Sequence, residues 1–284
     1  MQKIKTAVVP VAGLGTRFLP ITKSLPKEML PIVDKPVVQY AVEEALAVGV
    51  EQIVFVTSAT KRSIEDHFDD DICAHHPKLA KLSRVIPESV HCVYVRQKQQ
   101  RGLGDAVLTA KSVVGNEPFW VLLPDDLIDE PSSGDTLKKM LSRQQAIGSC
   151  SVVAVQEMAV ESLHQYGVVS CSGTDHQVDR IVEKPKQGTA PSNRAVVGRY
   201  LLQPSIFTYL QQCGPGAGGE LQLTDAIASL MKHEPVVAVD LVGTRFDCGS
   251  KLGFLEANIT FGLRHPTLGP ELKDFLFHEV LPQE

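Results

Sequence analysis

Residues 4 to 36 constrain this chain more than any other stretch. Ile4-Lys5-Thr6-Ala7-Val8-Val9 is short, β-branched and apolar, the pattern of a buried strand. Pro36 to Val48 carries apolar residues at helical spacing, with Asp34 as a candidate cap, Pro36 suited to a first turn and Gly49 to a stop. Between them run more than twenty residues, punctuated by Pro20, Pro26 and Pro31 and without a clear period. A connection that long in a compact domain is usually functional. Gly13 and Gly15 let backbone N–H groups come close to a ligand. Ala12 and Thr16 share that turn, and Arg17, Lys23 and Lys27 add positive charge. Glycine amides, a guanidinium and an ammonium outside the end of a first strand describe a polyphosphate site. Gly-x-Gly alone would read as a turn; the combination favours phosphate. A P-loop is excluded because no Gly-x-x-x-x-Gly-Lys-Ser/Thr run is present. A dinucleotide fingerprint is excluded because Phe18 stands where its third glycine belongs.

The chain has 284 residues, 43% of them hydrophobic, enough for one large α/β domain with insertions. With a net charge of −5 and no basic run, it gives nucleic-acid binding little electrostatic support. No apolar run approaches the roughly 20 residues needed to span a bilayer. Six cysteines form no Cys-x-x-Cys pair, which reads as free thiols in a reducing cytoplasm. Met1-Gln2-Lys3 leads straight into the first strand, so no targeting segment is expected.

Gly13-Leu14-Gly15-Thr16-Arg17 followed by Pro26-Lys27-Glu28-Met29-Leu30-Pro31 resembles the signature of the sugar-1-phosphate nucleotidylyltransferases. The run from Val11 to Pro36 is most similar to the bacterial UTP–glucose-1-phosphate uridylyltransferases, and a weaker likeness continues to about His265. The resemblance implies an α/β fold, a Rossmann-like three-layer sandwich on a mostly parallel mixed sheet. It also implies one domain over 1–284: a mainly nucleotide-binding half (1–130), a mainly sugar-phosphate-binding half (150–250) and a C-terminal helical segment (251–284).

Further along, Gln52 to Thr57 and His91 to Arg96 read as strands, and Ser63 to Phe68 as a short helix. Residues 69–90 look irregular; His75-His76 within them reads as a surface excursion in preference to a metal site. Gln97, with Gly102 five residues on, precedes a helix expected over Asp105 to Val113. In the family that spacing reads a pyrimidine edge, and a primary amide can donate to a base carbonyl while accepting from N3–H. On the residues alone, a polar loop side chain beside a helix-starting glycine fits equally well. Where the family usually has His, this chain has Asp105, which reads as a helix cap. Phe119-Trp120-Val121-Leu122-Leu123 is an apolar strand ending in Pro124-Asp125-Asp126, where open α/β sheets place ligands. The resemblance assigns a metal, Mg²⁺, to Asp125, with Asp126 as the competitor on the opposite face.

The second half has more hairpin character, with strands at Cys150 to Val155, Val168-Val169, Val178 to Val182 and Val196 to Leu202. By resemblance Gly167, Glu183, Lys184 and Glu220 serve the sugar phosphate; Glu183-Lys184 taken alone is a solvated strand end. A helix is expected to begin at Glu220. Asp247, after a strand expected over Val236 to Leu241 and before a helix over Lys251 to Leu263, is either an N-cap or a second metal ligand. Cys248 reads as a packed thiol.

The implied reaction joins UTP and glucose 1-phosphate into UDP-glucose with release of pyrophosphate. Arg17, Lys27, Asp125 and Lys184 are its expected catalytic groups, in a homo-oligomer (dimer or tetramer) with no nucleic-acid or membrane partner. A thymidylyltransferase or another nucleotide specificity, and a non-catalytic regulatory paralogue, are the alternatives.

Overall fold

Alternation along the first strand sets the layering. Val8 packs on one side with Val54, Phe119 and Val153, while Ala7 and Val9 pack on the other with Ile53, Trp120 and Val152. A strand buried on both faces needs covering layers above and below. The computed structural model of the protein describes residues 3–69, 85–173 and 176–280.

Its strands are β1 (Thr6–Pro10), β2 (Pro31–Ile32), β3 (Lys35–Pro36), β4 (Gln52–Thr57), β5 (His91–Arg96), β6 (Phe119–Leu122), β7 (Asp126–Asp129), β8 (Ser151–Glu157), β9 (Gly167–Ser172), β10 (Gln177–Glu183), β11 (Arg194–Leu202), β12 (Val236–Asp240) and β13 (Thr244–Asp247). Among the described residues nine of these form one mixed sheet in the order β5-β4-β1-β6-β11-β8-β12-β10-β9. The block β5-β4-β1-β6 is parallel. From β11 onward the pairings are antiparallel except β8 with β12, and β9 pairs back onto the start of β11. Helices Leu103–Thr109, Ile206–Gln212 and Leu223–Leu230 cover one face. Helices Val37–Ala47, Arg62–Phe68 and Asp135–Ile147 cover the other. This is the expected three-layer α/β sandwich.

A smaller hairpin, β7 with β13, pairs Asp126 with Asp247. The C-terminal helix Lys251–Arg264 docks on it through a cluster containing Ile32, Leu127, Cys248 and Ala257. That helix leaves Leu252, Leu255, Ile259 and Leu263 exposed.

Several local readings change. Pro36 itself is the N-cap of Val37–Ala47, and Asp34 faces His265 Nε2 at 3.6 Å instead. The helix expected from Asp105 starts at Leu103 and is interrupted at Ala110. The helix expected from Glu220 starts at Leu223 because Gln222 is still extended. His75 and His76 lie outside the described residues.

Candidate active site

The long connection after β1 folds as three short 3₁₀ turns, Thr16–Phe18, Ile21–Lys23 and Lys27–Met29, before the β2–β3 hairpin. Proline-rich sequence without a period cannot sustain longer helices, so the loop takes its shape from outside contacts. Phe18 is buried edge-on against Phe254, ring centroids 5.7 Å apart. Thr22 Oγ1 donates to the Gly15 carbonyl at 2.8 Å. Lys61 Nζ, itself buried, donates to the buried Glu28 carboxylate at 2.7 Å. Burial pushes the Glu28 carboxyl above its ordinary range, against the pull of Lys61 and Lys27.

With the loop anchored at both ends, Lys27 Nζ donates to Asp125 Oδ2. Burial opposes both charges, yet each outweighs it for the other: Lys27 is held above its ordinary value and Asp125 below. The loop and the end of β6 thus line one cleft of about 410 Å³, walled by Ala12, Gly13, Gly15, Thr16, Lys27 and Asp125 on one side and by Gln97, Gly102, Leu103 and Glu220 on another.

Asp247 reaches the same place from β13. A Cβ on Gly249 would sit 3.0 Å from Asp125 Oδ2 and 3.0 Å from Asp247 Oδ1, so the glycine leaves room for the two carboxylates to flank that point. Arg17 donates to the Gly249 carbonyl at 3.4 Å. Asp247 is not an N-cap: Ser250 caps the helix, accepting from the Gly253 N–H, while Asp247 accepts from the Gly249 N–H at 3.0 Å. Asp126, the competitor of Asp125, is consumed structurally by the Gly198 N–H and by Arg245. Among the described residues no group of three or more His, Cys, Asp or Glu side chains could hold a metal. Two carboxylates still suit a hard cation whose other ligands are phosphate and water.

Of the residues expected at the sugar phosphate, Glu183 and Lys184 lie by Gly167, where a Cβ would lie 3.1 Å from Thr224 Oγ1 and 3.2 Å from Glu183 Oε2. Thr224 Oγ1 donates to Glu183 at 2.7 Å. Lys184 follows with a left-handed φ of 43°, its N–H donating to the Tyr166 carbonyl and its Nζ 3.8 Å from Glu183. Glu220 does not join this group; its Cβ presses on Gly102 instead, where φ is 103° and an added Cβ would fall 2.8 Å away.

Gln97, expected to face the base, is buried. Its Nε2 donates to Asp105 Oδ2 at 2.7 Å and, at 3.4 Å, to the Gly102 carbonyl. The reading of Asp105 as a cap does not hold: its carboxylate accepts from Gln97 and from Arg101, whose guanidinium is 2.9 Å from Oδ1. Nor, in this arrangement, is the Gln97 amide free to donate to a base.

Sequence reasoning passed over the group that fixes Asp125. Arg199 on β11 is fully buried, and its donors are divided between the Glu44 carboxylate, at 2.7 and 2.6 Å, and the carbonyls of Leu123, Gly198 and Asp126, at 2.9, 3.0 and 2.8 Å. Two of those carbonyls bracket Pro124-Asp125. The available signal was an arginine inside the apolar run Val196 to Leu202, since a buried arginine needs partners.

A model of the nucleotidyl transferase family matches residues 6–261. A UTP--glucose-1-phosphate uridylyltransferase of Staphylococcus epidermidis is 48% identical over 97% of this chain and 98% of its own. A UTP-bound UGPase from Acinetobacter baumannii superposes with a TM-score of 0.85 at 43% identity, over 97% of this chain and 99% of that one. A UDP-glucose pyrophosphorylase complexed with UDP-glucose gives a TM-score of 0.84 at 46% identity, over 91% and 98%. With the signature loop, the paired carboxylates and the sheet order all in place, this chain belongs to the nucleotidyl transferase family, among its bacterial UTP–glucose-1-phosphate uridylyltransferases.

Proposed function

We propose that the protein transfers the uridylyl group of UTP to glucose 1-phosphate, giving UDP-glucose and pyrophosphate. The observation that carries this reading is the meeting of Lys27, Asp125, Asp247 and Arg17 around Gly249, with a base wall at Gln97 and a sugar wall at Glu183 and Thr224. Relatives named for this reaction match along nearly the whole chain.

A phosphate oxygen of glucose 1-phosphate attacks the α-phosphorus of UTP, the new P–O bond forms, and the bond to pyrophosphate breaks. That oxygen is ionised near neutral pH, so the protein's work is placement and charge compensation, without a general base. The backbone of Ala12 to Thr16 and the Arg17 guanidinium hold the β- and γ-phosphates. Lys27 leaves Asp125 for the phosphates, and Lys184 holds the sugar phosphate while Glu183 accepts from sugar hydroxyls. Asp125 and Asp247 fit Mg²⁺, which when bound supplies positive charge at the α-phosphate.

The reading extends to a homo-oligomer, supported by the exposed row Leu252, Leu255, Ile259 and Leu263. It also extends to a cytoplasmic setting, supported by Cys150, Cys171, Cys213 and Cys248 being free thiols. No helix among the described residues is long and apolar enough to cross a membrane.

The test is pyrophosphate release by the purified chain with UTP, glucose 1-phosphate and Mg²⁺, run beside TTP and ATP. Turnover with UTP well above the others is expected. Equal turnover with TTP would move the assignment to a thymidylyltransferase, and no release with any triphosphate would favour a non-catalytic role.

A further inference from the structure

An amide side chain offers a base two faces, one that donates and one that accepts, and which it offers is settled by its other neighbours. Around Gln97 those neighbours leave no choice. A carboxylate and a carbonyl only accept, so the atom facing Asp105 Oδ2 at 2.7 Å and the Gly102 carbonyl at 3.4 Å is the NH₂ group. Both amide protons are thereby engaged within the protein. The remaining atom, Oε1, has no recorded partner among the described residues, and Gln97 lines the cleft. Asp105 is itself held, because Arg101 donates to its second oxygen, Oδ1, at 2.9 Å. Asp105 and Gln97 are both buried, 7% and 4% exposed, so water competes poorly for these bonds.

Resting on the proposed nucleotide site, we propose that Asp105 is a positioning residue for base selection, fixing the Gln97 amide so that only its acceptor Oε1 faces the base. The site then favours a base whose pairing edge presents a ring N–H. Uracil and thymine have one at N3, whereas cytosine has a bare acceptor there. Against cytosine, Gln97 Oε1 would meet a lone pair, and relief would require flipping the amide and turning its oxygen onto the Asp105 carboxylate. A buried polar group left unpaired is the strongest lever a site has against an analogue of the same size. The Asp105 carboxylate thus acts on the base through the Gln97 amide, without touching the ligand itself.

The experiment compares UTP with CTP, which have the same shape, on the intact chain and on Asp105→Asn and Asp105→Ala. Binding is read by calorimetry and kcat/KM by pyrophosphate release. The intact protein should favour UTP by about 100-fold or more. In Asp105→Asn the new amide can donate to Gln97 Oε1, letting Gln97 turn its NH₂ to the base, so the CTP-to-UTP ratio should rise by about 10-fold or more. Asp105→Ala should raise it less, since it frees the amide without favouring the flip. A residue that only supported the fold would change both nucleotides alike. An unchanged ratio in a folded Asp105→Asn overturns the proposal. So does an intact protein that binds CTP within about threefold of UTP, a result that stands even where the variants do not fold. Normal UTP binding with no turnover would count against the proposed reaction and leave this inference to the binding ratio.

Discussion

Two lysines, Lys27 and Lys184, are held in opposite ways. Lys27, proposed for the nucleotide, is partly buried and locked to Asp125, whose charge it offsets. Lys184, proposed for the sugar phosphate, is half exposed, at 47%, and stands 3.8 Å from Glu183 on a left-handed backbone. Depth accounts for the difference. A buried ammonium without a partner costs several kcal/mol, so the inner lysine must store its charge in an ion pair until phosphate replaces the carboxylate. The outer lysine keeps water as its partner, and its constraint is geometric. A non-glycine residue in the left-handed region costs on the order of 1 kcal/mol, held here by the Lys184 N–H to the Tyr166 carbonyl at 2.9 Å. The surroundings of Lys27 are therefore preset by electrostatics and those of Lys184 by backbone shape.

That contrast can be broken at the buried seam behind Asp125, where the largest effect is expected. Arg199→Ala leaves Glu44 buried and unpaired and frees the carbonyls around Asp125, at about 3–5 kcal/mol of stability. A denaturant titration close to that of the unaltered protein would show that the seam does not hold Asp125. Next come the carboxylates. Asp125→Asn and Asp247→Asn should each lower kcat by about 10²–10³, with the double variant little worse than the poorer single if they share one cation. Fully additive losses would separate their roles. Lys27→Ala should cost about 10² in kcat/KM for UTP, because it removes a phosphate partner and leaves Asp125 uncompensated. Lys184→Ala should raise KM for glucose 1-phosphate by about tenfold with less effect on kcat, the loss of one charged hydrogen bond. Should it act on UTP instead, the two lysines exchange roles.

The smallest expected effect is of pH. Asp125 is held below its ordinary 3.8, so what it adds to stability is present above that value and is lost as pH falls through its lowered one. Lys27 is held above its ordinary 10.5, so its share is present below that value and is lost as pH rises through its raised one. The pair stays charged across the whole interval. With no general base in the proposed chemistry, kcat should be flat from about pH 7 to 9, and a bell-shaped profile there would point to an acid–base group.

Much of this was legible in the residues, for definite reasons. Gln52 to Thr57 and His91 to Arg96 appear as strands with the expected bounds, because β-branched runs between turn residues admit few other structures. The long loop after β1 stood out as a wall of a cleft because glycines, prolines and cations coincide without a period. Partners distant in sequence were not legible. Nothing near Asp105 announces Gln97 as its donor, and an acid in a first helical turn resembles a cap until the fold brings a buried amide beside it. Glu220 is placed at the sugar only by resemblance, and the extended Gln222 delays the helix and leaves Glu220 against Gly102. Nothing in the sequence of the helix Val37–Ala47 marks Glu44 as an ion-pair partner; only the register of β11 against β6 carries Arg199 to it.

The signature loop is fastened to the far end of the chain. Phe18 rests on Phe254, and Arg17 donates to the Gly249 carbonyl across 232 positions. During synthesis, then, the loop that emerges first waits for nearly the last helix before it acquires its working shape. A nascent chain stalled before Gly249 would have translated the entire parallel block, yet its signature loop would lack these two anchors. Ribosome-bound intermediates of that length should bind triphosphate poorly, so that competence arrives late and in one step as the closing helix docks.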